Sequence, residues 1–347
     1  MHATIEWLDK PRPHIRLIDQ TALPSRELYL EIFTVDELVD AIKRLVVRGA
    51  PALGVAGGFG VLLALSQGNR ESWPADRLET EIAKVRHCRP TAANLAWGVD
   101  RANSVAGLGY EAVRAEAFAI FHEDDAKNRE LSRLGADWIQ EKISSSSVRV
   151  ITHCNTGALA ATGWGTAYGI IRELHERQSL GLVYVDETRP LLQGSRLTSW
   201  ELTQDGIDHV IQVDGAAAST ILGGLVDVAI IGADRITANG DTGNKIGSLP
   251  LALACARASI PFIVAAPFST VDLRMETGDE IAIEERGADE VSSYWAEGTT
   301  VPGVKVFNPA FDVTPNDLIS AIVTEFGVFE PSISRPLARI SELVDDR

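Results

Sequence analysis

The chain has 347 residues, of which 45% are hydrophobic and 23% are charged, and its formal net charge is -16. This composition is typical of a globular protein and excludes a disordered or fibrous chain, while the length favours two hydrophobic cores over one. The negative charge argues against nucleic acid and anionic membrane surfaces as partners, because both would repel it.

The cellular setting is indicated by the N-terminal segment and by the cysteines. The segment MHATIEWLDK has early acidic residues and lacks the apolar stretch of a secretory signal. Cys88, Cys154 and Cys255 are odd in number and have no paired spacing, so we expect no disulfide framework, a reducing compartment and a cytoplasmic location. Residues 50 to 66 are uncharged but rich in Gly and Ala, which predicts a buried helix and not a membrane span.

The first part of the chain is predicted to be mainly helical. Short β segments near TIEWLD and HIRLID predict a small sheet, and from about residue 36 to 140 the apolar residues recur at helical spacing. The polar segment EKISSSS then marks a change of pattern. We therefore predict an N-terminal domain over residues 1–145, mainly helical with a small sheet and a connecting helix.

The second part, residues 146–347, alternates short apolar runs with helix-length segments. Such β-branched runs are typical of strands that helices cover on both faces, so we predict an α/β class with a parallel, Rossmann-like sheet in this catalytic domain. The predicted strands are VRVITHC, GLVYVDE, DHVIQVD, VDVAIIGAD, PFIVAAP and VKVFNP.

Candidate catalytic residues follow the predicted strands, because ligands of such sheets bind beyond the carboxyl ends of the strands. The first run ends at His153 and Cys154, the second at Asp186 and Glu187, and the fourth at Asp234. The segment NTGALAATG after Cys154 resembles a helix start, whose amides would stabilise a thiolate. Packing is the alternative role for Cys154, and an Asx-turn or a helix cap is the alternative for Asp234.

Candidate phosphate ligands lie in glycine-rich loops. Asn244 and Lys245 precede a predicted helix, so we expect the ammonium group and the backbone amides around residues 244 to 248 to hold an anion. Arg48 and Arg89 lie beside Gly or Pro at predicted helix starts, and guanidinium groups suit phosphate. Gln193 either binds sugar hydroxyls or caps a helix. Dinucleotide, nucleotide-triphosphate, zinc and α/β-hydrolase motifs are absent from the sequence.

Six long motifs, in the same order, resemble those of the methylthioribose-1-phosphate isomerase family, and the likeness covers almost the whole chain. They are RGAPALG (48 to 54), RPTAANLAWG (89 to 98), THCNTGALA (152 to 160), DETRPLLQGSRLTSWEL (186 to 202), GADRITANGDTGNKIGS (232 to 248) and NPAFDVTPNDLISAIVTE (308 to 325). The segment DHVIQVDGAAAST departs from the more apolar strand that is usual in the family.

The resemblance implies a homodimeric aldose-ketose isomerase of methionine salvage that uses no metal or cofactor. It implies that 5-methylthioribose 1-phosphate is converted to 5-methylthioribulose 1-phosphate by two catalytic residues, Cys154 and Asp234. The substrate-binding residues that it implies are Arg48, Gly49, Ala50, Arg89, Gln193, Asn244 and Lys245. For the reaction we expect Asp234, protonated in an apolar setting, to donate to the ring oxygen, while Cys154 acts at C2 as a base or shapes the site for a hydride shift.

Two alternatives stay open at the level of sequence. Isomerases of ribose 1,5-bisphosphate or of other 5-deoxypentose 1-phosphates share much of this pattern, although a second phosphate would require further cationic donors that the sequence does not reveal. The regulatory subunits of the eukaryotic translation-initiation exchange factor also resemble this fold, and they would predict a noncatalytic binding role.

Overall fold

A computed structural model describes residues 4–90, 92–294 and 297–331. The chain forms two compact units, one built from residues 4–132 and 156–169 and the other from residues 133–155 and 170–331. The domain boundary that the sequence places between residues 145 and 146 stays a prediction.

The first unit opens with a three-stranded antiparallel sheet. Its strands, in the spatial order β1-β2-β3, are β1 (Ile5–Leu8), β2 (His14–Ile18) and β3 (Tyr29–Ile32). Trp7 of β1 pairs with Ile15 of β2, and Ile15 pairs in turn with Ile32 of β3. The small sheet predicted from the first two segments is therefore present, with a third strand that the sequence analysis did not identify.

Five helices follow this sheet, in the part of the chain that was predicted to be helical. They are α1 (Val35–Lys43), α2 (Ala50–Glu71), α3 (Ala75–His87), α4 (Ala93–Asn103) and α5 (Tyr110–Lys142). Among the described residues α2 alone is long and apolar enough to span a membrane, but 83% of its apolar window is buried inside the protein. The burial predicted for residues 50 to 66 is thus confirmed.

A half-buried carboxyl on α5, that of Asp124, ties this helix to Thr162. The Asp124 Oδ2 atom accepts hydrogen bonds from the Thr162 amide at 3.0 Å and from the Thr162 hydroxyl at 2.6 Å. Burial raises the pKa of Asp124 to about 6, against the lowering effect of these hydrogen bonds. The folded state therefore holds this proton more tightly than the unfolded chain does.

Replacing Asp124 with asparagine is expected to stabilise the protein increasingly as the pH rises. The folded-state pKa lies above the ordinary value, so the stabilising contribution of Asp124 is present at low pH and is lost as the pH rises through about 6. Asparagine keeps an acceptor oxygen for Thr162 and does not ionise. The advantage of Asp124→Asn in free energy of unfolding should grow by about 2 kcal/mol between about pH 4.5 and 7, measured by urea denaturation.

The neighbouring Asp125 provides the control for this experiment, since it is also half-buried on α5 but pairs with Arg129 one helical turn away at 2.8 Å. Asp125→Asn should change stability by less than about 0.5 kcal/mol at either pH. An advantage of Asp124→Asn that does not change with pH would contradict the ionisation argument.

The second unit is built on a seven-stranded sheet. Six of its strands are parallel and β16 is antiparallel, and the spatial order is β16-β15-β10-β7-β4-β5-β6. The strands are β4 (Val148–Thr152), β5 (Leu180–Asp186), β6 (His209–Gln212), β7 (Val228–Ile231), β10 (Phe262–Ala265), β15 (Ala321–Thr324) and β16 (Gly327–Phe329). The four central strands β4, β7, β10 and β15 are almost entirely buried, as their apolar runs require.

Helices connect the strands of the large sheet. The segment that follows β7 forms two strands of a second sheet. The helices are α6 (Ala167–Glu176), α7 (Ser199–Gln204), α8 (Ala217–Leu222), α9 (Ser248–Ala258) and α10 (Asp289–Ser292). The second sheet, in the order β11-β8-β9-β14, contains β8 (Arg235–Thr237), β9 (Thr242–Lys245), β11 (Val271–Asp272) and β14 (Phe311–Thr314). A two-stranded ribbon joins β12 (Ser293–Tyr294) and β13 (Glu297–Gly298).

The α/β class is confirmed, and five of the six predicted strands are present. The prediction for VKVFNP is wrong, because residues 304 to 309 are irregular and Phe307 is 82% exposed. Pro302 and Gly303 precede this run and Pro309 ends it, which interrupts the ladder of backbone donors that a strand needs. The sheet is completed by β15 and β16 instead. The predicted loop after Asp234 contains the strands β8 and β9.

Candidate active site

The candidate catalytic residues of the second unit follow strands that are neighbours in its large sheet. Strand β4 lies between β7 and β5, and all three are parallel, so their carboxyl ends meet at one edge. Cys154 comes two residues after β4, Asp186 ends β5, and Asp234 comes three residues after β7. The predicted arrangement of a thiol and carboxylates at one rim is therefore found within this unit.

Cys154 is held in an unusual backbone conformation by two hydroxyl groups. Its φ is 62°, in the left-handed region, and its side chain is buried, with 9% exposed. The Cys154 amide donates to Thr188 Oγ1 at 2.8 Å, and the Thr198 hydroxyl donates to the Cys154 carbonyl at 2.6 Å. A left-handed conformation costs a non-glycine residue about 1 to 2 kcal/mol. It persists here because the neighbouring strand end and turn fix both backbone groups.

The helix start predicted after Cys154 is wrong. Residues 155 to 166 form one turn within a series of bends and irregular backbone, and the next helix, α6, begins at Ala167. Glycine accounts for this outcome, since the φ of Gly165 is 91° and a Cβ atom there would lie 2.6 Å from the Thr156 carbonyl oxygen. Helix amides therefore do not stabilise a Cys154 thiolate.

Asp234 lies in the bend between β7 and β8, where its amide donates to the Gly243 carbonyl at 2.9 Å. The residue is exposed. The apolar setting that we expected around this carboxyl is therefore wrong, because the residue lies at the protein surface.

Gln193 lies at the start of a π-helical turn, Gly194–Thr198, on the segment that follows β5. Only 6% of its surface is exposed. Its Oε1 atom is buried and has no hydrogen-bond partner among the described residues. An unsatisfied buried carbonyl costs about 1 to 3 kcal/mol, so this oxygen favours a ligand that supplies a hydroxyl donor.

Asn244 and Lys245 are the last residues of β9 and precede α9, as predicted. The Asn244 side-chain Nδ2 donates to Ser248 Oγ at 2.9 Å. Lys245 Nζ donates to the Ala310 carbonyl at 3.0 Å and lies 4.6 Å from the centre of the Phe311 ring. The lysine thus has a hydrogen bond through one of its three donors.

One part of the predicted phosphate site is already occupied by a carboxylate. The amides of Gly247 and Leu249 both donate to Asp312 Oδ2, at 2.8 and 3.2 Å. Asp312 therefore caps the N-terminus of α9, and burial raises the pKa of this carboxyl. The expectation that the amides at this helix start would hold an anion is thus wrong for Gly247, whose single donor is engaged.

Arg48, Gly49 and Ala50 lie in the first unit, where Gly49 caps the N-terminus of α2. Arg48 is 9% exposed, and its Nε donates to Gln20 Oε1 at 3.0 Å. Gly49 has a φ of 96°, and a Cβ atom there would lie 2.5 Å from the Ala160 carbonyl oxygen. Only glycine therefore fits between Arg48 and the helix.

Arg89 lies in the same unit, between the end of α3 and the start of α4. It is half-buried, and among the described residues its guanidinium makes neither a hydrogen bond nor an ion pair. By contrast, Arg101 of the same unit contacts both Glu116 and Glu123. An arginine without an ion-pair partner in the described part of a chain of charge -16 supports a role in binding an anion.

His153, Asp186 and Asp214 are grouped closely enough to suggest a metal site, since one ligand atom from each lies within 4.8 Å of the others. Their atoms already have hydrogen-bond partners. His153 bonds to Asp186 and to the Ile246 carbonyl, and Asp186 also accepts from Gln212. Asp214 accepts from the amides at positions 188 and 189. We therefore describe the group as a hydrogen-bonded network.

The supporting roles of Thr188, Thr198 and His153 were not predicted from the sequence. Each of these residues lies next to a strand end or turn that carries a candidate site residue, and their partners are 33 to 93 residues away along the chain. Hydroxyl residues just after a strand end were the available signal, but the sequence does not reveal which distant group they bind.

Comparison with known proteins decides the family. Residues 46–331 match the family model for the initiation factor 2 subunit family. The chain belongs to the initiation factor 2 subunit family. Within this family, it is 46% identical over 350 residues to the methylthioribose-1-phosphate isomerase of Heliobacterium modesticaldum, covering 98% of this chain and 99% of that protein. This confirms the resemblance drawn from the six motifs.

Two further relatives show how far the likeness extends. A probable bifunctional methylthioribose-1-phosphate isomerase and methylthioribulose-1-phosphate dehydratase of Nocardia farcinica is 46% identical, and the match covers 93% of this chain and 59% of that protein. The crystal structure of 5-methylthioribose 1-phosphate isomerase from Pyrococcus horikoshii has a TM-score of 0.89 and 37% identity, covering 99% of this chain and 96% of that one.

A structure with a different name is almost equally similar. The translation initiation factor eIF-2B, subunit delta, from A. fulgidus has a TM-score of 0.85 and 38% identity, covering 98% of this chain and 99% of that one. The fold of the initiation factor 2 subunit family therefore occurs under both an enzyme name and a translation-factor name.

Proposed function

We propose that the chain is an aldose-ketose isomerase that converts 5-methylthioribose 1-phosphate to 5-methylthioribulose 1-phosphate in methionine salvage. The observation that carries this proposal is Cys154, held in a strained conformation at the rim where Asp234 follows the neighbouring strand. Strain of this kind is common at active sites, where surrounding contacts maintain it. The 46% identity to an isomerase over the full chain gives the substrate.

The substrate explains why a thiol and a carboxyl are needed. Its anomeric oxygen carries phosphate, so the ring cannot open through a free hemiacetal. We propose that Asp234 donates a proton to the ring oxygen as the bond from that oxygen to C1 breaks. The hydrogen at C2 then moves to C1, either through the Cys154 thiolate as a base or as a hydride, and the C2 hydroxyl loses its proton as the ketone forms.

Seven further residues are proposed to bind the substrate, through cationic, hydrogen-bonding and backbone groups. The cationic groups of Arg48, Arg89 and Lys245 attract the phosphate, while Gln193 Oε1 accepts from a sugar hydroxyl. Asn244 supplies an amide, and Gly49 and Ala50 supply backbone groups beside Arg48. No residue of this set requires a metal or a redox cofactor for its role.

The remaining features of the proposal are the assembly, the location and the domain layout. We propose a homodimer in the cytoplasm, with a mainly helical N-terminal domain over residues 1–145 and a Rossmann-like catalytic domain over residues 146–347. The net charge of -16 supports the absence of nucleic acid and anionic membranes among its partners.

The purified protein is expected to turn over 5-methylthioribose 1-phosphate in preference to ribose 1,5-bisphosphate and 5-deoxyribose 1-phosphate. An apolar lining around the 5-position would favour a methylthio group over a second phosphate. Asp234→Asn should lower kcat by about 10²- to 10⁴-fold, because the amide cannot donate an acidic proton. Turnover is measured by the appearance of the ketose with each substrate.

Asp208→Asn is the matched control, since Asp208 is also an exposed aspartate of the second unit and precedes β6. It should keep the kcat of the wild type. A preference for ribose 1,5-bisphosphate would retain the site and change the substrate. Inactivity on all three would favour a noncatalytic binding role, which the likeness to the eIF-2B delta subunit supports.

A further inference from the structure

His153 lies beneath the rim of the second unit, and both nitrogens of its ring face hydrogen-bond acceptors. The side chain is 1% exposed. Its Nδ1 atom lies 3.0 Å from Asp186 Oδ2, and its Nε2 atom lies 2.8 Å from the Ile246 carbonyl oxygen. A carbonyl oxygen can only accept, so Nε2 carries a proton.

The second nitrogen faces a carboxyl oxygen. Asp186 Oδ1 accepts from Gln212 Nε2 at 2.9 Å, so Oδ2 is the oxygen against Nδ1, and a carboxylate in its ordinary ionised form leaves the proton of this contact on Nδ1. An imidazole with protons on both nitrogens is a cation. Burial acts against that cation, but the hydrogen bond to Asp186 and the charges of Asp186 and Asp214 outweigh it and raise the pKa of His153.

The other charged and titratable groups around the ring agree with a cation. Asp214 faces it from the segment after β6, and Asp312 faces it from β14, where burial raises the pKa of that carboxyl and the charge of His153 acts against the rise. Burial and, to a smaller extent, the charge of Asp186 raise the pKa of the Cys255 thiol on α9 to about 12. Cys255 therefore contributes no charge. Three carboxyl groups therefore lie around one imidazole.

The contacts of His153 join two segments that carry proposed catalytic and binding residues. The next residue along the chain is Cys154, and Ile246 directly follows Asn244 and Lys245. Gly247 packs against the ring so closely that a Cβ atom there would lie 2.6 Å from His153 Cε1. The histidine thus fixes the end of β4 relative to the turn between β9 and α9, within one unit.

We infer that His153 is a buried imidazolium that positions the turn bearing Cys154 and the turn after Asn244 and Lys245, an assignment that rests on the proposed function of those residues. Its ring bridges the Asp186 carboxylate and the Ile246 carbonyl, and the Cys154 turn and the Asn244–Lys245 turn lie on either side of this bridge. His153 itself is a positioning residue and does not contact the reacting atoms.

The charge is tested directly by nitrogen NMR of the full chain labelled with ¹⁵N-histidine. The chain has 7 histidines, and the signals of His153 are the ones that disappear in His153→Asn. In the wild type we expect both ring nitrogens to remain protonated above the pH at which a histidine of an unfolded chain becomes neutral. In Asp186→Asn, which removes the ionised partner, we expect His153 to be neutral at that pH. A neutral His153 in the wild type would overturn the inference.

The positioning role is tested by turnover of 5-methylthioribose 1-phosphate. His153→Asn can keep a donor near Asp186 but is too short to reach Ile246, and we expect a fall of about 100-fold in kcat/KM with contributions from both kcat and KM. In Asp186→Asn, kcat/KM should fall as the pH rises through the titration of His153, whereas the wild type should show no such step. A purely structural histidine would not produce this pH profile.

His209→Asn is the matched control, because the half-buried His209 is also bonded through both ring nitrogens, to Ser199 Oγ and to the Ile207 carbonyl. It should keep kcat/KM within twofold. A folded His153→Asn with wild-type kcat and KM would overturn the inference. If the wild type does not turn over the substrate, the proposed function fails, and the charge of His153 is still decided by NMR.

Discussion

Cys154→Ser is expected to lower kcat by about 10²- to 10⁴-fold. A thiol ordinarily ionises near pH 8.5, whereas a serine hydroxyl does not ionise at neutral pH, so the variant loses the group that can act as a base at C2. The left-handed backbone should be unchanged, because the Thr188 and Thr198 hydroxyls bind the amide and carbonyl of Cys154 and not its sulfur. Single-turnover kinetics and thermal unfolding measure the two effects separately.

Cys88→Ser provides the control for this substitution. The half-buried Cys88 donates to the Val85 carbonyl at the end of α3, a contact that a serine hydroxyl can keep. Its kcat should equal that of the wild type. A correctly folded Cys154→Ser protein with near-normal kcat would contradict the catalytic role.

Isotope labelling distinguishes the two roles left open for Cys154. If the thiolate transfers a proton, the ketose formed in deuterated water should carry solvent deuterium at C1. If the hydrogen moves as a hydride, deuterium placed at C2 of the substrate should be retained at C1 of the product. In the second case Cys154 shapes the site and is not the base.

Local patterns predicted most of the secondary structure, because helices and buried strands have short sequence periods. The apolar runs of β4, β5 and β7 predicted that Cys154, Asp186 and Asp234 follow strands of one parallel sheet and meet at its rim. The same reasoning failed for VKVFNP, where apolar residues are exposed between prolines. Apolar composition alone does not distinguish a strand from an irregular segment of this kind.

The conformation of the candidate site was less predictable, because it depends on contacts between distant residues. The left-handed turn at Cys154 is maintained by hydroxyls 34 and 44 residues away. The cap of α9 comes from Asp312, 65 residues after the Gly247 amide that it accepts from. The exposure of Asp234 is likewise a property of the folded chain. Such pairings have no signature in a single sequence.

Gly194→Ala is expected to disturb the site more than any other small substitution in the segment after β5. A Cβ atom at Gly194 would lie 1.7 Å from the Asp186 carbonyl oxygen and 3.0 Å from Thr188 Oγ1. The Asp186 carbonyl accepts from the Thr188 hydroxyl, and that hydroxyl in turn accepts from the Cys154 amide. Relief of the overlap therefore requires a backbone shift that reaches Cys154.

The expected cost of this shift is about 3 kcal/mol in the free energy of unfolding, as for an overpacked core, and a loss of about 100-fold in kcat, as for a displacement of about 1 Å at a reacting group. Urea denaturation and steady-state kinetics measure the two quantities. Because Gly194 lies in a helical turn without a positive φ, alanine should be favoured there by local propensity, and only the contact with Asp186 predicts a loss.

Gly215→Ala isolates that contact, since Gly215 also lies in a short helix, Asp214–Ala216, and a Cβ atom there would meet nothing within 4 Å. It should leave both stability and kcat close to those of the wild type. If Gly194→Ala behaved in the same way, the segment after β5 would be able to move without displacing Cys154. The chain of bonds from Asp186 through Thr188 would then not control the position of the thiol.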